Sequence, residues 1–166
     1  MTPNALPGHT VHGAAFTEVV LEVFRLNGEL LAAGDQLAAG LGLTAARWQV
    51  MGAVAQVPLT AAQIARRMGL ARQSVHRTVG LLEREGVAER IPNPDHRSAD
   101  LVRLTDRGTK AYAAISQRQV SWANRCASSL SLSSLETTLR TLKAVREAQE
   151  LTPHRNKSHQ QRRSRS

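Results

Sequence analysis

The chain has 166 residues, of which 42% are hydrophobic and only 3% aromatic, enough for one compact domain with a mainly aliphatic core. One cysteine excludes an intrachain disulfide and points to a reducing cytoplasm, and no stretch approaches the roughly 18–20 apolar residues needed to cross a bilayer. The net charge of +9 favours a polyanionic partner. Five of those charges (Arg155, Lys157, Arg162, Arg163 and Arg165) lie in the stretch 151–166, which has no acid, so residues 1–150 carry only +4.

Residues 1–12 read as a loose arm. They have neither the basic start nor the continuous apolar run of a signal peptide. His9 and His12 stand three apart with no carboxylate or thiol beside them, so no metal is expected. From Gly13 an apolar stripe of Phe16, Val19, Val20, Val23, Leu26, Leu30, Leu37 and Leu41 alternates steps of three and four, predicting a long amphipathic helix over about 13–40. Gly28 and Gly34 weaken it, and a kink or break is expected near Gly34. Thr44 opens the next helix, with Trp48 and Met51 on its buried side and Pro58 ending it.

Thr60 and Gln63 form a capping box before a short helix carrying Ile64 and Met68 on one face, and Gly69 supplies the left-handed residue that stops it. A second helix begins near Ala71, a poor cap, so its start must be held by packing or by Ser74. Val75, Val79 and Leu82 share one face of it. The other face carries Gln73, His76, Arg77, Gly80 and Arg84, with Arg72 and Ser74 at the leading end. Two short helices joined at a glycine in this way form a helix-turn-helix. The second helix of such a pair enters the DNA major groove, where Arg reads guanine and Gln reads adenine, each worth about 1–3 kcal/mol of discrimination. Taken alone, the charged face is equally an ordinary solvated surface.

The segment after Gly86 tips the balance toward DNA. Val87–Ile91 and Leu101–Leu104 alternate like half-buried strands around a long loop stiffened by Pro92 and Pro94. In it Asp95 stands two residues before Arg97, with His96 between, so that a carboxylate can orient a guanidinium at a tip suited to a narrow minor groove. Thr105 then caps a long helix with Asp106 in its first turn and Tyr112, Ile115, Gln119, Trp122 and Cys126 along one seam. Gln119 is the polar member of that seam, facing solvent, a ligand or a partner subunit. After a break at 130–133, Ser133 and Glu136 read as a second capping box, and Leu135, Leu139, Leu142 and Val145 make the last apolar stripe. Beyond Pro153 the basic tail shows no apolar period and is expected to be disordered.

The helix-turn-helix, the segment Leu82-Glu83-Arg84-Glu85-Gly86, the Asp95-x-Arg97 loop and the run Leu104-Thr105-x-x-Gly108 together resemble the MarR (multiple antibiotic resistance regulator) family of winged-helix regulators over about residues 16–148. Ala71, where many relatives have Ser or Thr, and Gly80, where a larger residue is usual, depart from the pattern. The resemblance implies a mainly α fold with a small β-hairpin wing. A winged-helix lobe at about 44–104 is flanked by dimerisation helices at about 13–40 and 105–150. It also implies an effector cleft between the long helices and the lobe. Trp48 is either a core anchor, the favoured reading, or a wall of that cleft, with Met51, Tyr112 and Gln119 as further candidates.

The expected function is a cytoplasmic, homodimeric, sequence-specific repressor. Arg72, Gln73, Ser74, His76, Arg77, Arg84, Asp95, His96 and Arg97 would bind a palindromic DNA operator. Phe16, Val20, Leu135, Leu139 and Leu142 would join two copies, and a small aromatic or anionic ligand would release the DNA. Two rivals are a nonspecific nucleic-acid-coating protein working through the basic tail and a redox sensor working through Cys126. No phosphate loop, zinc-protease motif, paired thiols or seryl nucleophile motif is present, so neither an enzyme nor a bound cofactor is expected.

Overall fold

The computed structural model describes residues 7–96 and 98–151. Helix α1 (Val11–Ala38) starts two residues earlier than the apolar stripe suggests, because the Thr10 hydroxyl accepts a 3.0 Å hydrogen bond from the Gly13 N–H and caps the helix. It runs unbroken through Gly28 and Gly34, so the expected break does not occur. Gly34 serves close packing instead: a Cβ there would lie 2.8 Å from the Ala45 Cβ on helix α2 (Ala45–Val54). Asp35 reinforces this crossing, its Oδ1 accepting from the Ala45 N–H at 2.7 Å while Thr44 caps the same helix through the Arg47 N–H. Helix α2 stops at Val54, short of Pro58.

Strand β1 (Leu59–Thr60), helix α3 (Ala61–Met68), helix α4 (Arg72–Arg84) and strands β2 (Ala88–Ile91) and β3 (Leu101–Leu104) come next along the chain. Thr60 and Gln63 make both hydrogen bonds of the capping box, and Gly69 ends α3 at φ 65°. The sheet has three antiparallel strands in the order β1-β3-β2, one more than the expected hairpin. Leu59 pairs with Val102, and Glu89 with Arg103.

Helices α2, α3 and α4 close over the sheet around Val50, Met51, Ile64, Val75, Val79, Leu82, Val102 and Ile115, each at most 1% exposed. No aromatic residue is among them, in keeping with the low aromatic content. Burying each such side chain contributes roughly 1.5–3 kcal/mol. Trp48 and Tyr112 pack against the rim of this core.

Helix α5 (Asp106–Ala127) starts at a dense junction. Thr105 donates from its hydroxyl to the Gly86 carbonyl at 2.7 Å and from its N–H to the Val87 carbonyl at 3.1 Å. The same hydroxyl accepts from the Gly108 N–H at 3.1 Å. Within the unit that ends at Val120, the Arg118 guanidinium donates to the carbonyls of Leu37 and Ala39 at 2.9 and 2.8 Å, closing the C-terminal end of α1. A second unit begins at Ser121 and includes helix α6 (Leu132–Leu151). Its cap is Ser131, whose Oγ accepts from the Ser134 N–H at 3.1 Å, rather than the expected Ser133.

Candidate nucleic-acid interface

Helix α4 is anchored from beneath. Val75, Val79 and Leu82 are fully buried, and this fixes the rotation of the helix so that Arg72, Gln73, Ser74, His76 and Arg77 point to solvent. Arg84, its last residue, is also exposed. Ala71 makes no side-chain cap and Ser74 does not replace it, so the first-turn N–H groups have no capping side chain. Such groups suit a phosphate oxygen. Gly80 opens the middle of the exposed face: a Cβ there would meet only the Arg84 Nη1, at 3.8 Å. At the far end Arg47 of α2 holds Glu85 at 2.8 Å and also donates to the Gly42 carbonyl, fastening the end of the helix to the preceding layer.

The loop between β2 and β3 is braced from inside. Asn93 accepts the Asp95 N–H on its Oδ1 at 3.0 Å and donates from Nδ2 to the Ala99 carbonyl at 2.9 Å, spanning the loop from one side to the other. Asp95 and His96 are exposed at its tip, and Arg97 lies outside the described residues. On the outer face of the hairpin Glu89 pairs with Arg103 at 2.8 Å. On the inner face Arg90 reaches α4, its Nε donating to both carboxylate oxygens of Glu83 at 3.0 and 3.1 Å. Sequence reasoning missed Asn93, Arg90 and Glu83. The Asn93-Pro94-Asp95 run does carry a turn signature that would have found the first.

Burial separates the remaining candidates. Met51 is fully buried, so it presents no surface to a ligand; Trp48, Tyr112 and Gln119 are half-buried. Phe16, Leu135, Leu139 and Leu142 are exposed apolar residues, and Val20 is half-buried. Cys126 is exposed. Among the described residues no group of three His, Cys, Asp or Glu is placed to hold a metal ion, and no helix is long and apolar enough to cross a membrane.

Comparison with known proteins agrees with this geometry. The sequence pattern of the MarR family matches residues 41–97, from just before α2 into the wing. An uncharacterized protein of Mycobacterium tuberculosis is 39% identical over 127 residues, covering 76% of this chain and 89% of that one. The chain belongs to the MarR family. MarR-family proteins are winged-helix DNA-binding transcription regulators, not enzymes. The fold is shared with the Staphylococcus aureus MepR–DNA complex (TM-score 0.67, 21% identity, 76% of this chain and 95% of that one). It is likewise shared with CouR of Rhodococcus jostii bound to p-coumaroyl-CoA (TM-score 0.70, 19% identity, 76% of this chain and 90% of that one).

Proposed function

We propose that this MarR-family chain is a cytoplasmic, homodimeric repressor that reads a palindromic operator and releases it when a small aromatic or anionic ligand binds. The observation that carries the reading is the exposed row Arg72, Gln73, His76 and Arg77 on α4, set over a fully buried Val75–Val79–Leu82 face. A helix held this firmly from below presents its polar side chains in a fixed register, as base reading requires.

Two exposed apolar stripes support self-association. One, on α1, includes Phe16, Val23, Leu26 and Leu30. The other, on α6, is Leu135, Leu139 and Leu142 at steps of four and three. Apolar rows of this extent are covered in a stable protein, and a two-fold partner covers both while supplying the second reading head. The ligand class rests on the MepR–DNA and CouR–p-coumaroyl-CoA complexes, where this fold holds a nucleic acid in one case and an aromatic thioester in the other. Half-buried Trp48, Tyr112 and Gln119 are the proposed walls. The wing tip around Asp95, His96 and Arg97 is assigned to the adjacent minor groove.

The test is selection of duplexes from a random pool by the full-length protein, with binding titrations on whatever sequence is enriched. Enrichment of an inverted repeat, with Arg77→Ala losing about 1–3 kcal/mol and preference at one position of each half-site, is the expected result. Preference that disappears when the tail beyond Leu151 is removed, or no enrichment at all, overturns the reading.

A further inference from the structure

The inner face of the wing carries a guanidinium whose arrangement the recognition-helix reading does not use. Arg90 sits on β2 opposite Val102, on the side of the sheet that faces the helices. Its Nε is bound by both oxygens of Glu83, so a single atom carries the whole ion pair. Among the described residues neither terminal nitrogen, Nη1 or Nη2, has an acceptor in the protein. A carboxylate bidentate on Nε and one terminal nitrogen would engage two nitrogens along one edge of the guanidinium. Here it engages Nε alone and leaves the four N–H donors of the terminal nitrogens for another acceptor.

Arg90 lines a groove of about 250 Å³ between the start of α3, α4 and the wing, together with Thr60, His76 and Asp100. His76 and Glu83 are seven residues apart on α4, so they share the helix side that looks at the wing, and Gly80 between them leaves that side open. A duplex read by α4 in its major groove and by the wing in the neighbouring minor groove must carry one stretch of its sugar–phosphate backbone past this groove.

We infer that Arg90, aimed by Glu83, binds a DNA backbone phosphate between the recognition helix and the wing, with His76 as the second donor on the opposite wall. The side-chain exposures of 33% for Arg90 and 30% for Glu83 place the pair half out of water, where a charge-assisted contact is stronger than on an open surface. Glu83 is a positioning residue: it offsets part of the charge of Arg90 but fixes the direction of its donors. Asp100 is the one acid lining the groove among the described residues, and its negative charge opposes an arriving phosphate. The inference rests on the proposed DNA-reading function and assigns it a backbone contact.

The experiment is a titration of full-length protein onto the duplex enriched from the random pool, over a series of salt concentrations, for wild type, Arg90→Gln, Arg90→Lys and Asp100→Asn. Each phosphate contact contributes about 0.9 to the slope of log K against log salt, so Arg90→Gln in a dimer is expected to reduce that slope by about 1.8. Arg90→Lys keeps the charge and the slope. Asp100→Asn, a change at an exposed loop position that carries no ion pair with a described residue, is expected to tighten binding about two-fold at low salt. A slope unchanged by Arg90→Gln, or an affinity unmoved by Asp100→Asn, overturns the phosphate contact while leaving the regulator reading intact. If Arg90→Gln does not fold, Asp100→Asn decides alone. If the wild-type protein enriches no duplex, the regulator reading and this inference fall together.

Discussion

Gly108 approaches Val87 so closely that no side chain fits between them. A Cβ at position 108 would run into the Val87 carbonyl oxygen, with the carbonyl carbon 3.0 Å and Cγ1 3.3 Å away. The carbonyl cannot retreat, because it accepts the Thr105 N–H while the Thr105 hydroxyl holds the neighbouring Gly86 carbonyl. The Leu104-Thr105-x-x-Gly108 run is therefore a joint: it lets the backbone of α5 lie against the backbone entering β2, just past the end of α4.

Gly108→Ala should destabilise the protein by about 3 kcal/mol, at the upper end for overpacking, since the obstacle is backbone. Gly80→Ala is the contrasting case. Its new methyl meets only the flexible Arg84 at 3.8 Å, and a helix-interior glycine is replaced, so a gain of about 0.5–1 kcal/mol is expected. Urea unfolding of both variants, monitored by circular dichroism, checks the opposite signs.

Arg118→Ala removes the cation that closes the C-terminal carbonyls of α1. Both hydrogen bonds are solvent-exposed, so the expected loss is about 1 kcal/mol. Amide hydrogen exchange should show the fraying concentrated in the last turn of α1, with the helix-turn-helix amides unchanged.

Asn93→Ala takes away the brace inside the wing without touching the core. The midpoint of urea unfolding should hardly move, while DNA affinity falls about five-fold, the equivalent of one neutral hydrogen bond of about 1 kcal/mol. Equal losses in stability and affinity would show instead that the loop is held by something other than this side chain.

Leu139 is 54% exposed at the middle of the α6 stripe. Leu139→Glu should weaken self-association by about 3 kcal/mol, through lost apolar burial and a charge placed in its stead. Sedimentation velocity over a dilution series checks it. The expected pattern is a monomer at concentrations where wild type is dimeric, with the circular dichroism spectrum preserved.

Much of the local chemistry was legible in the sequence where the signal lies within four residues. The Thr60–Gln63 box, the Gly69 stop, the uncapped Ala71 and the buried Val75–Val79–Leu82 face all stand as the spacing reads. Features that depend on distant partners were not legible. Asp35 caps a helix ten residues away, and Arg118 reaches carbonyls about eighty residues back, pairings that no local pattern encodes. Gly34 was misread for the same reason. Its lack of a side chain looked like a weak point in a helix, whereas its cause is the neighbour crossing it. Strand β1 has only two residues, too few for an alternation to register, and it exists because β3 offers it an edge. At the start of α6, serines at 131, 133 and 134 compete for one role, and spacing alone chose the wrong one. Of the residues proposed to face DNA, the exposure of the row on α4 was readable. The Glu83–Arg90 fork was not, since it joins a helix to a strand across a turn.

The first turn of α2 touches structure on both sides. At Ala45 its backbone is tied to Asp35 of the long N-terminal helix, and two residues on, Arg47 grips Glu85 at the tail of α4. That single turn works as a strut with a clamp at each end. It joins the N-terminal rod to the end of α4 through one backbone hydrogen bond and one ion pair, a polar linkage separate from the apolar contacts of the core.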